Sequence, residues 1–241
     1  MKNSITCFAV VLLILFSMTS LSAQIKADDL VGAWELASDV KMTRILTPEF
    51  FSVAVYKDNE FISTAGGRWR TDGKNIIETF EFNTADPGLV GKEVSTPAEL
   101  KKQKLMLSAG KSKEEWRRIY DGSPGKLAGA WLITGRVREG EMSKMTPGAR
   151  RTMKILSGTR FQWIAYNVET KEFSGTGGGT YTTENGKYTE NILFFSRDNT
   201  RAGASLSFDF SLEDGDWRHK GLSSRGQPID EIWTKREKIG L

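Results

Sequence analysis

Two carboxylates are the chemically odd residues of this 241-residue sequence. Glu78 alternates with Phe80 and Phe82, and Glu190 alternates with Ile192 and Phe194, so a period of two sets each acid on the apolar face of a strand. A carboxylate held there either works as a base with a raised pKa or neutralises a buried cation. Arg44 and Lys154, or the arginines that close each half of the chain, are available as partners, and structural pairing is the plainer reading. The remaining inventory is short. One His and one Cys exclude disulfide frameworks, Cys/His zinc sites and Cys–His nucleophile pairs. His219, between Arg218 and Lys220, reads as a solvated surface histidine.

Other tempting features read as scaffold. The run Gly175-Thr-Gly177-Gly-Gly179-Thr180 lacks the third glycine and the following helix of a dinucleotide fingerprint, and reads as a strand bend. Asp198, Asn199 and the acidic turn at 213–216 do not have the spacing of a calcium-binding loop, so no metal is expected, and no cofactor either. Lys101, Lys102, Lys104, Lys111 and Lys113 read as a charged strand edge. With 34 Lys+Arg against 30 Asp+Glu the net charge is +4, too even for a nucleic-acid surface.

The elements that must position these residues come in two copies. Leu30-Val-Gly-Ala-Trp34 recurs as Leu127-Ala-Gly-Ala-Trp131, and Met42-Thr-Arg-Ile-Leu46 is echoed by Met153-Lys-Ile-Leu156. Gly66-Gly67-Arg-Trp69 matches Gly178-Gly179-Thr-Tyr181, Glu78 matches Glu190, and the endings Trp116-Arg117-Arg118 and Trp233-Thr-Lys235-Arg236 correspond. The turn-rich 121–125 connector separates domains expected over 28–121 and 126–238. Within each copy apolar residues alternate strictly, as in Leu206, Phe208, Phe210 and Leu212, and Asp72-Gly73 and Asn185-Gly186 carry the chemistry of two-residue hairpin turns. Short helices are expected only over 96–103 and 142–153. The pattern describes an all-β protein of sandwiches or closed barrels.

Residues 1–23 read as a secretory signal: Lys2, an apolar stretch over 5–18, then the small residues Ser20, Ser22 and Ala23. The expectation is export to the periplasm or the cell exterior, as a mature chain with no transmembrane segment. An uncleaved membrane anchor is the alternative. Cys7 lies inside this segment.

Gly32-Ala-Trp34 and Gly129-Ala-Trp131, each near the start of a first strand, resemble the Gly-x-Trp signature of lipocalins and related calycin barrels. The closing Trp/Arg residues are similar to the basic residue that packs over that tryptophan in the last strand. The stretch 152–236 also resembles a lipocalin-like domain of exported Bacteroidetes proteins of unassigned function, through Ile155-Leu-Ser-Gly-Thr-Arg-Phe161-Gln-Trp163, the Gly-Gly-Gly-Thr-Tyr181 bend and Glu-Ile-Trp233. The resemblance implies two tandem lipocalin-like antiparallel up-and-down β-barrels. Trp34 with Arg117 or Arg118, and Trp131 with Arg236, would close them, with a cation–π contribution of about 0.5–2 kcal/mol.

The leading expectation is non-catalytic binding of a small apolar or amphipathic ligand, with the second copy the better cup. Trp163, Tyr181, Phe194 and Phe208 would supply apolar contact and Glu190 orientation. Two other readings stand beside it: filled barrels that bind another envelope protein or glycan, and an enzyme using Glu190 or Glu78 as base. An eight-stranded barrel is wide enough either to fill itself or to hold one small ligand, and the sequence leaves that open. If Trp131 plugs a barrel, Trp131→Ala lowers stability by about 3–5 kcal/mol in chemical denaturation; an unfolding curve like that of the wild type refutes the plug.

Overall fold

The computed structural model describes residues 24–36, 38–120 and 125–241. The segment expected to be an export signal lies outside them. Among the described residues, no helix is long and apolar enough to cross a membrane.

The first eight strands are β1 (Gly32–Leu36), β2 (Lys41–Leu46), β3 (Phe50–Lys57), β4 (Glu60–Thr71), β5 (Asn75–Asn83), β6 (Glu93–Lys101), β7 (Lys104–Ala109) and β8 (Ser112–Arg118). Each pairs antiparallel with the next, and β1 pairs with β8 to close an up-and-down barrel. The second copy runs through β9 (Gly129–Arg138), β10 (Glu141–Lys144), β11 (Arg150–Leu156), β12 (Arg160–Asn167), β13 (Phe173–Glu184), β14 (Lys187–Phe195), β15 (Ser205–Glu213), β16 (Asp216–Leu222) and β17 (Pro228–Lys235). β9 pairs with both β11 and β17, which closes a second antiparallel barrel of eight strands, and β10 hangs from β9 as a hairpin arm. A short helix, α1 (Arg236–Ile239), follows.

Several local expectations need correction. The segments expected to be helical are strands: 96–101 belongs to β6, and 142–153 contributes to β10 and β11. Pairing with β7 overrides the helix propensity of Ala98, Glu99 and Leu100. Asn185 and Gly186 both take positive φ, as a two-residue hairpin turn requires. The turn at Asp72 is longer, and there the Asp72 carboxylate accepts from the Lys74 and Asn75 amides at 2.9 and 2.7 Å.

The paired glycines do a specific job. Pairing between β4 and β5 slips between Gly66 and Gly67, so that Glu81 is an extra residue, and pairing between β13 and β14 slips between Gly178 and Gly179, which makes Leu193 extra. A bulge inverts the side-chain alternation beyond it. A Cβ on Gly66 or Gly178 would run into the ring of Phe82 or Phe194, so those rings reach over bare backbone.

Both rings therefore point out of their barrels and into a seam between them. Ile45, Phe50 and Phe82 of the first barrel pack there with Leu132, Met153, Ile155, Ile164 and Tyr166 of the second. Phe194 stacks on Tyr56 at 4.9 Å between ring centres, and the Gln162 amide donates to Thr64 Oγ1 at 2.8 Å. The seam also buries an ionic cluster. Glu81 accepts from Arg236 at 2.7 and 3.0 Å, from Arg151 at 3.2 Å and from the Tyr166 hydroxyl, while the Arg236 guanidinium lies 3.9 Å from the centre of the Phe50 ring.

Burial alone would raise the Glu81 carboxyl, but the Arg236 hydrogen bonds and charge, the Tyr166 hydroxyl and the Arg151 charge outweigh it and hold the pKa below the ordinary 4.5. A folded-state pKa below the unfolded value means stability that is present above about pH 4.5 and lost as the pH falls through the folded value. Removing one partner of a buried pair leaves the other uncompensated. Arg236→Ala is expected to lower unfolding stability by about 3 kcal/mol in urea at pH 7, and the loss should shrink as Glu81 protonates. An unchanged midpoint would contradict the role given to the seam.

Candidate functional site

A cation stands over the Gly-x-Trp tryptophan at the closed end of each barrel. Arg118 lies 4.1 Å above the Trp34 ring and donates to the Val31 carbonyl at 2.8 Å. The Trp34 and Trp131 indoles donate to the carbonyls of Leu30 and Leu127 at 2.8 and 2.9 Å. Over Trp131 the cation is Lys235, at 5.3 Å. Arg236, expected there, points the other way into the seam, and Arg117 is exposed beside Glu115. Strand alternation and the end of β17 explain these placements. Trp116 and Arg118 share a face, as do Trp233 and Lys235, whereas Arg117 falls on the opposite one and Arg236 lies past the end of β17, in α1.

The first barrel is filled. Trp34, Phe51, Trp69, Ile76, Phe80, Leu105, Leu107 and Trp116 form its core, and Leu89 and Val94 pack against it from above. Inside, Arg44 pairs with Glu78 and lies 4.9 Å from the Trp116 ring centre. Glu78 is thus a structural partner of a buried cation.

The second barrel holds a cavity of about 610 Å³ that opens at the end away from Trp131. Its walls include Ile133, Trp163, Ile192, Phe195, Leu206, Phe208, Ile229 and Trp233. Polar groups sit among them. Lys154 Nζ lies 2.6 Å from Glu190 Oε1 and about equally near the rings of Tyr188 and Trp217, at 5.0 and 5.1 Å. Glu231 stands 3.6 Å from His219 Nδ1 and 3.8 Å from Arg136 Nε. Arg197, Asp198, Arg201 and Arg225 ring the mouth.

Matched positions explain why one barrel is filled and the other hollow. A one-turn loop bridges β5 and β6 over 86–91, and its counterpart between β14 and β15 spans 198–203. Each is capped by an aspartate, Asp86 or Asp198, and each pins its glycine amide to the barrel, Gly91 on the Phe80 carbonyl and Gly203 on that of Ile192. Leu89 and Val90 turn inward in the first loop, and Val90 is 3% exposed. Arg201 and Ala202 stand at those places in the second. Leu107, buried in the first core, corresponds to His219 in the second cavity.

Of the residues expected to contact a ligand, Trp163, Glu190 and Phe208 line this cavity. Tyr181 sits beneath it, its hydroxyl donating to the Ser157 carbonyl at 2.6 Å in the closed end. Phe194 is in the seam, and Phe195 takes its place inside because of the bulge at Leu193. The reading of His219 as a surface residue is also corrected: it is 2% exposed. Its flanking charges suggested solvent, but alternation from the fully buried Trp217 sets it inward, and that signal was available. The Nε2 nitrogen has no hydrogen-bond partner, and Nδ1 faces Glu231 at 3.6 Å. Among the described residues, no group of three or more His, Cys, Asp and Glu is arranged to hold a metal ion.

No family model matches the chain, and no curated protein does. Among solved structures, one similar to this chain is a lipocalin-like protein from Bacteroides uniformis ATCC 8492, at 15% identity and a TM-score of 0.33, over 46% of this chain and 99% of that one. The architecture itself is plain: an all-β chain of two closed, antiparallel, eight-stranded up-and-down barrels, the lipocalin type of closure.

Burial, and next the Lys154 charge, push the His219 pKa below the ordinary 6.5 despite nearby Glu231 and Glu190. The imidazole is therefore neutral at pH 7. Below about pH 6.5 the unfolded chain binds a proton that the folded chain resists, so stability declines on acidification. The expected result is a His219 proton resonance that titrates below pH 6.5, and a His219→Leu variant whose stability falls less between pH 7 and 5. A His219 titration at or above 6.5 would contradict the buried, neutral imidazole.

Proposed function

We infer that this protein is a binding protein without catalytic function, which holds one small amphipathic molecule inside its second barrel, and that the first barrel is a scaffold. The observation that carries this reading is the contrast between two copies of one plan. The second copy lacks the leucine and valine that turn into the first from its loop, and its cavity of about 610 Å³ falls in the range of small-molecule sites. The walls are aromatic and aliphatic with a few fixed polar groups, as such sites require. Glu190, held by Lys154 at 2.6 Å, is a fixed acceptor rather than a free base, which favours binding over catalysis.

Replacing Arg201 with Leu and Ala202 with Val gives the second barrel the plug of the first. The neutral dye N-phenyl-1-naphthylamine is expected to gain fluorescence with the wild-type chain. The Arg201→Leu/Ala202→Val variant should bind it at least about tenfold more weakly, a loss worth roughly 1.4 kcal/mol, with no fall in melting temperature. Equal binding by both proteins would place the site elsewhere, and no binding by the wild type would remove this function.

A further inference from the structure

The charges around the second cavity are distributed unequally, and resting on the binding role above, we propose that its ligand is an anionic amphiphile with a hydroxyl in its apolar part. The interior has no excess of positive charge. Lys154 faces Glu190 at 2.6 Å, and Glu231, 3.8 Å from the exposed Arg136, adds a second carboxylate. An anionic head placed deep would meet two carboxylates and one buried cation. The mouth has an excess of positive charge, with Arg197, Arg201 and Arg225 against Asp198. Arg197 is turned to the Ser174 carbonyl, and Arg201 shares Asp198 at 3.1 Å. The Arg225 guanidinium is exposed and has no ion-pair partner among the described residues. At the mouth of a low-dielectric cup such an excess favours an anion and disfavours a cation.

A second and independent observation lies midway down the cavity. His219 is 2% exposed, its Nδ1 lies 3.6 Å from Glu231, and its Nε2 has no partner. Buried polar groups are normally hydrogen-bonded, and an orphan in a binding cavity marks the place of a missing partner. With Nδ1 turned to Glu231, Nε2 is the open position, and a hydroxyl can meet it as donor or as acceptor. The filled barrel has Leu107 at the matched place, where no such group is needed. The ligand's head therefore sits at Arg201 and Arg225, its body against Trp163, Phe195 and Leu206, and its hydroxyl at His219.

The test compares amphiphiles of one chain length, at monomeric concentrations, by displacement of N-phenyl-1-naphthylamine and by quenching of tryptophan fluorescence. Dodecanoate or dodecyl phosphate is expected to bind at least about tenfold more tightly than dodecyltrimethylammonium, and the tighter of the two anions identifies the head. Arg201→Gln/Arg225→Gln should reduce that preference to under about threefold while the neutral dye still binds. In a series of hydroxydodecanoates, one position should bind about fivefold more tightly than dodecanoate, and in His219→Leu that ratio should fall to under about twofold. The proposal is overturned if the cation binds as well as the anions, or if no hydroxyl position gains affinity that depends on His219. Failure of the binding role itself looks different, because then the neutral dye does not bind either.

Discussion

One extra residue in a strand, set opposite a pair of glycines, organises this molecule. In each barrel the bulge follows the inward carboxylate, so Glu78 and Glu190 face the interior while Phe82 and Phe194, of the same parity, face out. A sheet whose alternation never inverts would keep both rings inside. The inversion adds the two rings to the seam, and in the first barrel the extra residue is Glu81, which then meets Arg236, Arg151 and Tyr166 across it. The glycines are the other half of the device, because only backbone without a side chain lets the rings lie so close.

The same plan then gives two interiors. In the first barrel Leu89, Val90 and Leu107 complete a core in which apolar atoms have partners on every side. In the second, Arg201, Ala202 and His219 occupy the matched places and space remains. Wall atoms facing a void lose dispersion contacts, so the hollow barrel is the less stable arrangement considered alone. The seam supplies compensating contact on its outer wall through Leu132, Met153, Ile155 and Ile164. A filled neighbour is thus a physical counterweight to a hollow one. Function here belongs to the interior of one copy and does not follow from the fold.

Much of this was legible in the residues. The repeat, the strand period and the Gly-x-Trp starts lead to two barrels, and the inward acids at Glu78 and Glu190 follow from alternation, with Arg44 and Lys154 among the partners the sequence offers. Phe194 was misplaced because alternation was carried through Leu193, where a bulge resets it, and a single sequence signals the paired glycines without showing which residue opposite them is extra. Arg236 lies one residue past the position that counting by twos from Trp233 reaches, which is Lys235. His219 was judged by its neighbours Arg218 and Lys220, although those side chains lie on the other face of the strand. Whether either barrel is hollow was left open, although the second copy was expected to be the better cup, since a cavity depends on a loop turning two small or charged side chains where its twin turns two large apolar ones.

The most direct test of the account is a crystal structure of the chain soaked with a bromine-labelled apolar probe, with the anomalous signal locating the bromine. The account predicts one strong peak per chain inside the second barrel, between Trp163, Phe208 and His219, and none inside the first. Another hollow lies outside both barrels, a cleft of about 580 Å³ between their closed ends lined by Leu46, Arg118, Leu156 and Lys235. A peak in that cleft alone, or an empty second barrel at saturating probe, would contradict the claim that the second barrel is the cup.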